Sequence, residues 1–271
     1  MVVFLIVLHL VSSFFYGFGV DALLPVAIAV LTTTLLDLFI EYFKSKTWMF
    51  PQSALISGLF IGGLLTQNLQ WHVYMIAGAI AIISKHIIKI NQKHIFNPAN
   101  LGILLVSIIF GVSHTWWISS PKILVLIFGI FIIWRLKRFD LALSFLASYY
   151  IINSIILLFR GMGLSDVYYP IINGGVIYFF SMYMLIEPRT HPNQRKQRLA
   201  YGILVAVLLI LIDQYALNYR NMLAAFFIRH DLPLALAVGN IFVPVLNRLK
   251  LEFKKNNPKP SITETLKMEN Y

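Results

Sequence analysis

Cysteine is absent from the 271 residues of the chain, and charged residues make up only 12% of it. The sequence therefore has no disulfide, no thiolate ligand for an iron–sulfur cluster, no cysteine-linked haem and no thiol nucleophile. Soluble globular proteins carry about 25% charged residues. Because 59% of this chain is hydrophobic, we expect an integral membrane protein without a sizeable soluble domain.

Long hydrophobic runs follow one another along the chain, and each bilayer crossing needs about 20 apolar residues. We predict an all-α protein with about ten transmembrane helices. They lie at residues 2–18, 21–43, 53–67, 70–88, 98–113, 120–136, 139–159, 170–186, 199–216 and 221–247. Residues 1–249 form a single transmembrane domain in this interpretation. Residues 250–271 are polar and basic, which predicts a disordered cytoplasmic tail.

The 22 Lys and Arg residues outnumber the 11 Asp and Glu residues, which gives a formal net charge of +11. If residue 1 lies in the cytoplasm, 18 of these cations fall on the cytoplasmic side. The other four are Lys122, Arg160, Arg220 and Arg229. The positive-inside rule then predicts a multi-pass protein of the inner (cytoplasmic) membrane with both termini cytoplasmic. We interpret the positive charge as a determinant of topology, and we expect some of these Lys and Arg side chains to contact anionic lipids. We expect no nucleic-acid partner.

Ten crossings divide into two halves of five, at about residues 1–115 and 116–249, which must run in opposite directions across the bilayer. The third span of the first half is short and contains Gly62 and Gly63. Its counterpart in the second half begins at Asn173 and Gly174. Interrupted helices in matching positions indicate a midplane site. The alternative is that the glycines simply allow close helix packing.

The fifth span of each half carries asparagine close to proline. Asn97, Pro98 and Asn100 open the first, and Asn240 precedes a proline in the second. Amide side chains supply donors and acceptors without charge, which suits the edge of a neutral aromatic ligand. We therefore treat these residues, with the glycines and Asn173 above, as candidates for binding a cofactor. The alternative for Asn97 is a helix N-cap.

Five stretches of the sequence form a set. They are SALISGLFIGGLL at 53–65, HIFNPANLGILLVSIIF at 94–110, WRLKRFDLALSFL at 134–146, MLIEPRTHPNQRKQRLAYGI at 184–203 and LALAVGNIFVPVLNRL at 234–249. In this order they resemble the NqrB/RnfD family. Its members are the RnfD membrane proteins of Rnf-type ferredoxin:NAD oxidoreductases and the NqrB membrane proteins of sodium-translocating NADH:quinone reductases.

The resemblance implies a ten-helix inverted-repeat fold similar to urea transporters and a place in a flavin-based electron path. It also implies noncovalent flavin, riboflavin or FMN, near Asn97, Pro98 and Asn100. The family's long insertion after the fifth span, with an S-x-A-T motif whose threonine is esterified to FMN, is missing. The connection here is only about residues 111–119. We therefore expect no covalent FMN on this chain: either electrons pass to a flavin on a partner, or the family core has been reused.

Two acidic positions lie near predicted cytoplasmic ends. Glu187 is followed by Pro188 and Arg189, which favours a structural clamp with an Arg189–Glu187 pair over a proton or ion site. Asp37 and Glu41 lie one helical turn apart and share a face. They could form an access point for sodium or protons, or simply reach the interface beside neighbouring lysines, which we favour.

The seven histidines show no metal signature and no spacing that requires haem ligation, so we predict wet interface residues and no metal. Arg229, His230 and Asp231 break the last hydrophobic segment. They either bind an anionic group or form a helix corner held by an Arg–Asp pair.

We predict a membrane subunit that passes electrons across the bilayer through flavin to or from a partner flavoprotein, and that could couple this transfer to ion transport. Its expected partners are other membrane electron-transport subunits and an extracytoplasmic FMN-binding protein. The chain lacks a nucleotide-binding glycine loop, so we expect a non-catalytic subunit. The same fold could instead serve a small-solute transporter or channel, or a scaffold for neighbouring subunits.

Overall fold

The computed structural model describes residues 1–46, 48, 50–90, 92–219 and 221–249. The predicted tail at 250–271 and Arg220 lie outside the described residues. The helices are α1 (Val2–Phe15), α2 (Leu23–Ser45), α3 (Gln52–Leu64), α4 (Trp71–Ile87), α5 (Pro98–Phe110), α6 (Lys122–Leu136), α7 (Phe139–Phe159), α8 (Leu164–Asn173), α9 (Gly175–Phe179), α10 (Arg195–Asn218) and α11 (Met222–Arg248). Strands β1 (Lys89–Ile90) and β2 (Lys93–His94) form an antiparallel hairpin.

Among the described residues, four segments are long and apolar enough to cross a membrane. They are Val20–Ser45, Phe139–Phe159, Arg195–Asn218 and Met222–Arg248. Four shorter apolar helical segments accompany them, at Val2–Phe15, Gln52–Leu64, Pro98–Phe110 and Gly175–Met184. This composition is that of a mostly helical, multi-pass membrane protein. Each hydrophobic segment predicted from the sequence contains helix.

The segment predicted at 170–186 is not one continuous helix. Helix α8 ends at Asn173, α9 begins at Gly175, and a π-helical turn at Phe180–Met184 follows directly. Helix α8 starts in residues that the sequence predicted as a connection, and none of its described side chains is buried. An added Cβ at Gly174 would clash with the Tyr150 hydroxyl oxygen and with the Pro170 carbonyl oxygen. Glycine at this position therefore permits the close approach of these atoms at the break.

The short helices α3 and α5 and the π-helical turn occupy the interior of the bundle. Helices α3 and α5 each have 13 residues, a length of about 20 Å, whereas the hydrocarbon layer is about 30 Å thick. Most residues of α3 and α5 are buried, as is the whole π-helical turn. Short helices are tolerated at membrane depth because surrounding protein covers their free backbone ends.

Side-chain contacts join the connecting segments at each end of the bundle. At one end Lys93 donates to Asn193 (2.9 Å) and Arg138 donates to His191 (2.9 Å). We call this the basic end, since it carries most of the Lys and Arg. At the opposite end Lys122 donates to Asn173 at 2.7 Å. The segments that the charge pattern assigns to one side therefore meet at one end of the molecule.

Candidate functional site

The central cavity lies near the basic end, between α3, the start of α5 and the π-helical turn. Its volume is about 230 Å³. Its lining includes Ser57, Phe60, His94, Asn97, Tyr183 and Glu187. A second cavity of about 330 Å³ adjoins it and is also lined by His94, together with Asn240. Arg189 lines both cavities. Typical small-molecule sites have volumes of about 300–1,000 Å³, so the two cavities together reach that range.

Two aromatic side chains, Phe60 and Tyr183, line the central cavity, and both rings pack on Phe179, which does not line it. The Phe179 and Tyr183 rings stack at 4.5 Å between centroids, and Phe60 meets Phe179 edge-on at 5.8 Å. The Tyr183 hydroxyl donates to the Val125 carbonyl at 2.9 Å. Such offset and edge-on ring contacts hold the two rings in fixed positions. The lining of the cavity therefore combines two fixed aromatic rings with a polar rim.

The polar rim is built from the hairpin and the turn after the π-helical segment. His94 Nε2 lies 2.9 Å from Glu187 Oε1. The sequence suggested that Arg189 pairs with Glu187, but among the described residues Arg189 makes no ion pair and is exposed. The partner is instead the hairpin histidine, because the proline after Glu187 turns the chain and directs Arg189 outward. A free guanidinium thus stands at the junction of the two cavities.

Asn97 caps α5. Its Oδ1 accepts from the Asn100 N–H at 3.1 Å, and its Nδ2 donates to the Met184 carbonyl at 3.3 Å. Pro98 occupies the first helical position, where its missing N–H has no cost. The cap that we weighed as an alternative is therefore present. Asn97 lines the central cavity with its polar atoms already engaged.

Asn240 joins three parts of the chain and is fully buried. In the carboxamide orientation that satisfies its neighbours, the oxygen accepts from the Asn97 N–H at 3.1 Å. The nitrogen then lies 3.3 Å from the Thr190 carbonyl oxygen and 2.5 Å from the Tyr201 hydroxyl oxygen. The sequence placed Asn97 and Asn240 in corresponding spans, and a hydrogen bond from the Asn97 backbone N–H to the Asn240 side chain joins them.

Asn100 connects α5 to the interrupted part of α11. Its Nδ2 donates to the Pro233 carbonyl at 2.9 Å. Within the described residues its Oδ1 is buried and has no partner. Helix α11 is kinked three residues earlier, where His230 has non-helical backbone angles. Three of the predicted asparagines thus converge where two interrupted helices meet.

The candidate residues Gly62 and Gly63 do not line the central cavity. An added Cβ at Gly62 would lie 2.5 Å from Val26 Cα, and the Gly62 carbonyl accepts from Trp117 Nε1 at 2.9 Å. Gly63 faces His9, whose Nε2 would lie 2.7 Å from an added Cβ. These contacts are close helix packing of the kind that small residues permit.

Asn173 and Gly174 lie at the end opposite the basic end, where Asn173 accepts from Lys122. They do not line the central cavity. The structure therefore brings the asparagines of α5 and α11 together but separates them from Asn173 and Gly174. Flavin contact by any of these residues stays a prediction.

A buried charge cluster lies beside α3, and the sequence missed its key partner. Asp37 accepts from Lys85 Nζ at 2.7 and 2.9 Å and lies 2.7 Å from His86 Nε2. Lys85 also donates to the Ser53 hydroxyl at 2.8 Å. Asp37, Glu41 and His86 could converge on a metal ion. Lys85 already supplies the positive charge there, which argues for a structural cluster.

His191 sits in the turn before α10 as a neutral ring. Its Nε2 accepts from Arg138 Nε at 2.9 Å, and its Nδ1 lies 2.8 Å from the Pro192 carbonyl oxygen. Burial lowers the pKa of His191 to about 4, and the nearby guanidiniums of Arg138 and Arg198 contribute in the same direction. The charged ring is therefore excluded at neutral pH.

Two histidines that the sequence treated separately meet at the opposite end. The His114 and His230 rings lie 6.0 Å apart between centroids. Burial, with His230 nearby, lowers the pKa of His114 to about 4. Arg229 donates to the Gly111 carbonyl at 3.1 Å. The described residues contain no Arg229–Asp231 ion pair, so the prediction of a helix corner held by that pair is wrong.

The helix lengths and the buried short helices define the class: an integral membrane protein with several helical spans. Within that class, a family model described as the NQR2, RnfD, RnfE family matches residues 1–124. The chain is therefore similar to the family that the sequence motifs suggested. The stretches at 53–65 and 94–110 lie inside the matched region, and the other three lie beyond it.

Two curated relatives are each named as the D subunit of an ion-translocating oxidoreductase complex. The protein of Aliivibrio salmonicida (strain LFI1238) is 28% identical over 120 residues, which is 43% of this chain and 34% of the relative. The protein of Yersinia enterocolitica serotype O:8 / biotype 1B (strain NCTC 13174 / 8081) is 30% identical over 111 residues, 40% of this chain and 31% of the relative. The matched region thus spans about a third of the length of each relative.

Proposed function

We propose that this chain is a membrane subunit of an Rnf-type electron transport complex. In this proposal it passes electrons across the membrane through a noncovalent flavin, to or from a partner flavoprotein. The supporting observation is the central cavity, whose lining combines Phe60 and Tyr183 with polar side chains at the meeting point of interrupted helices. The two relatives are named as subunits of an ion-translocating oxidoreductase complex.

The residues present suit a flavin, which supplies one- and two-electron transfer when bound. Phe60 and Tyr183 would face the flat ring system, and the His94–Glu187 pair would meet its polar edge. The unpaired guanidinium of Arg189, between the two cavities, would face a ribityl chain or phosphate that extends into the second cavity. The asparagine cluster would hold the walls in place, because its amides are bonded within the protein.

We further propose that the two halves are inverted repeats of five spans each. The pairwise packing supports this: α1 packs on α3 as α6 packs on α9, and α2 packs on α4 as α7 packs on α10. Likewise α4 packs on α5 as α10 packs on α11, and α5 packs on α11 between the halves. A repeated contact pattern of this kind is expected for a duplicated transporter-like fold.

We include in this proposal the orientation of the chain across the membrane. With the basic end in the cytoplasm, the central cavity opens towards a cytoplasmic donor or acceptor, and both termini are cytoplasmic in an inner membrane. The opposite end, with Lys122 and the His114 turn, would then face an extracytoplasmic FMN-binding protein. Other membrane subunits of the complex would cover the exposed apolar helix faces.

The test is the flavin content of the protein purified in mild detergent. We expect flavin absorption that dithionite bleaches, and a loss of bound flavin in the Arg189→Gln variant. Arg195→Gln is the matched control, since this exposed arginine of the basic end lines a different cavity. Colourless protein that moves a solute in proteoliposomes would instead support the transporter alternative. Equal flavin in both variants would exclude Arg189 as a ligand.

A further inference from the structure

A separate cavity of about 440 Å³ opens at the basic end. It lies between the end of α6, the tight turn into α7 and the first turn of α10. Two aromatic side chains, Trp134 and Phe139, line it together with charged residues. It shares no lining residue with the central cavity or its neighbour. The proposed electron path does not use it.

The cavity has an excess of positive charge. Arg198 binds the Asp140 carboxylate through Nη2 at 2.6 Å and Nε at 2.8 Å, and these side chains are only 11% and 7% exposed. Arg135, Lys137 and Arg195 also line the cavity, and all three are exposed. Within the described part of the chain, none of these three has a carboxylate partner. The buried pair therefore forms a rigid floor beneath three unpaired cations.

An apolar stripe leads along α6 into this cavity. Ile123, Ile127, Ile130 and Trp134 are all exposed and follow one another at spacings of four, three and four residues. These spacings place them on one face of the helix. The stripe starts near the opposite end of the bundle and finishes at Trp134 on the cavity rim. Tryptophan at a helix end favours the headgroup boundary of a bilayer.

We propose that this cavity binds the headgroup phosphate of an anionic phospholipid, with an acyl chain lying along the α6 stripe. Guanidinium and ammonium groups supply charge-assisted hydrogen bonds to phosphate oxygens. The stripe distinguishes a lipid from free phosphate and from an acidic protein surface, because a lipid contacts both the cations and an exposed apolar helix face about 17 Å long, close to the thickness of one leaflet. Trp134 packs where headgroup and chain join.

The test compares lipid binding to two double variants of the full chain. Lys137→Gln with Arg195→Gln removes two cations from the cavity. Lys46→Gln with Lys89→Gln removes the same charge from exposed positions that line none of the three cavities. Phosphatidylglycerol and phosphatidylcholine are titrated separately into the detergent-purified proteins, and bound lipid is counted by native mass spectrometry. Each basic side chain near anionic lipid contributes about a fivefold change in affinity.

We expect phosphatidylglycerol binding about 30-fold weaker in the cavity variant and nearly unchanged in the control. Inorganic phosphate at millimolar concentration should not displace the lipid. Displacement by phosphate would show a free-anion site and overturn the proposal. Equal loss in both variants, or none in either, would also overturn it. If the cavity variant keeps lipid but loses an acidic protein partner, the cavity is a protein interface instead. Flavin content is unaffected in every case.

Discussion

Removing the Asn240 carboxamide should destabilise the fold strongly and in a way that depends on Tyr201. The Asn240→Ala variant leaves the Asn97 N–H, the Thr190 carbonyl and the Tyr201 hydroxyl without their common partner. A buried polar group without a partner costs about 1–3 kcal/mol. Because the three groups relax together, we expect a total of about 3–5 kcal/mol.

Tyr201→Phe tests the geometry more sharply. In the wild-type background it removes one hydrogen bond and should cost about 1 kcal/mol. In the Asn240→Ala background the hydroxyl already lacks its partner, so its removal should cost nothing or restore stability. The coupling energy should therefore be at least about 1 kcal/mol. The assay is reversible unfolding in mixed micelles by titration with dodecyl sulfate, followed by circular dichroism.

Asn247→Ala is the matched control, since this exposed asparagine lies seven residues further along α11 and its side chain accepts one exposed hydrogen bond, from the Asn193 N–H at 3.1 Å. Its loss should change the free energy of unfolding by less than about 1 kcal/mol. An equal cost for Tyr201→Phe in both backgrounds would refute the reasoning. A small effect of Asn240→Ala itself would show that the three groups find other partners.

Three further predictions concern packing, charge and pH. Gly62→Ala should lower the thermal midpoint in detergent by several degrees, whereas Gly163→Ala, where an added Cβ meets no atom closer than 3.4 Å, should not. Asp37→Asn should lower the free energy of unfolding in dodecyl sulfate by about 3–5 kcal/mol, because it leaves the buried Lys85 unpaired. Glu41→Gln is the control: its side chain is 43% exposed, and the change should cost less than about 1 kcal/mol. Because the pKa of His191 is lowered to about 4 in the folded protein, its neutral ring contributes about 3 kcal/mol at most to the free energy of unfolding. This contribution is complete above pH 6.5 and is lost as the pH falls towards 4. The unfolding midpoint of the His191→Gln variant should therefore depend less on pH than that of the wild type.

Helix positions followed from the hydrophobic pattern because burial in lipid or protein requires long apolar runs. The bounds of α7, Phe139–Phe159, coincide with the predicted segment. The π-helical turn at Phe180–Met184 was not predictable, since its hydrogen-bond register depends on packing against other helices rather than on local composition. The break before it was signalled by Asn173 and Gly174, although its position within the span was not.

The candidate site was predicted in part. Asn97 and Asn240 were both chosen as cofactor-binding candidates in corresponding spans, and the structure joins them by a hydrogen bond. Ion-pair partners were harder to predict, because they link positions far apart in the chain: Glu187 pairs with His94 rather than with adjacent Arg189. Short-range spacing favours the neighbour, but the chain direction set by the intervening proline decides the outcome.

The Asp37–Lys85 pair has a consequence for how the protein is made. The carboxylate lies on α2, and the ammonium that neutralises it lies on α4, 48 residues later in the chain. A lone carboxylate inside a bilayer costs about 2.5–3.5 kcal/mol on insertion scales. Asp37 lies nearer the proposed cytoplasmic end of α2 and costs less than this, but we still expect α2 to insert more favourably together with α4 than alone. Helices α2 to α4 are thus expected to settle in the lipid as a group rather than one span at a time.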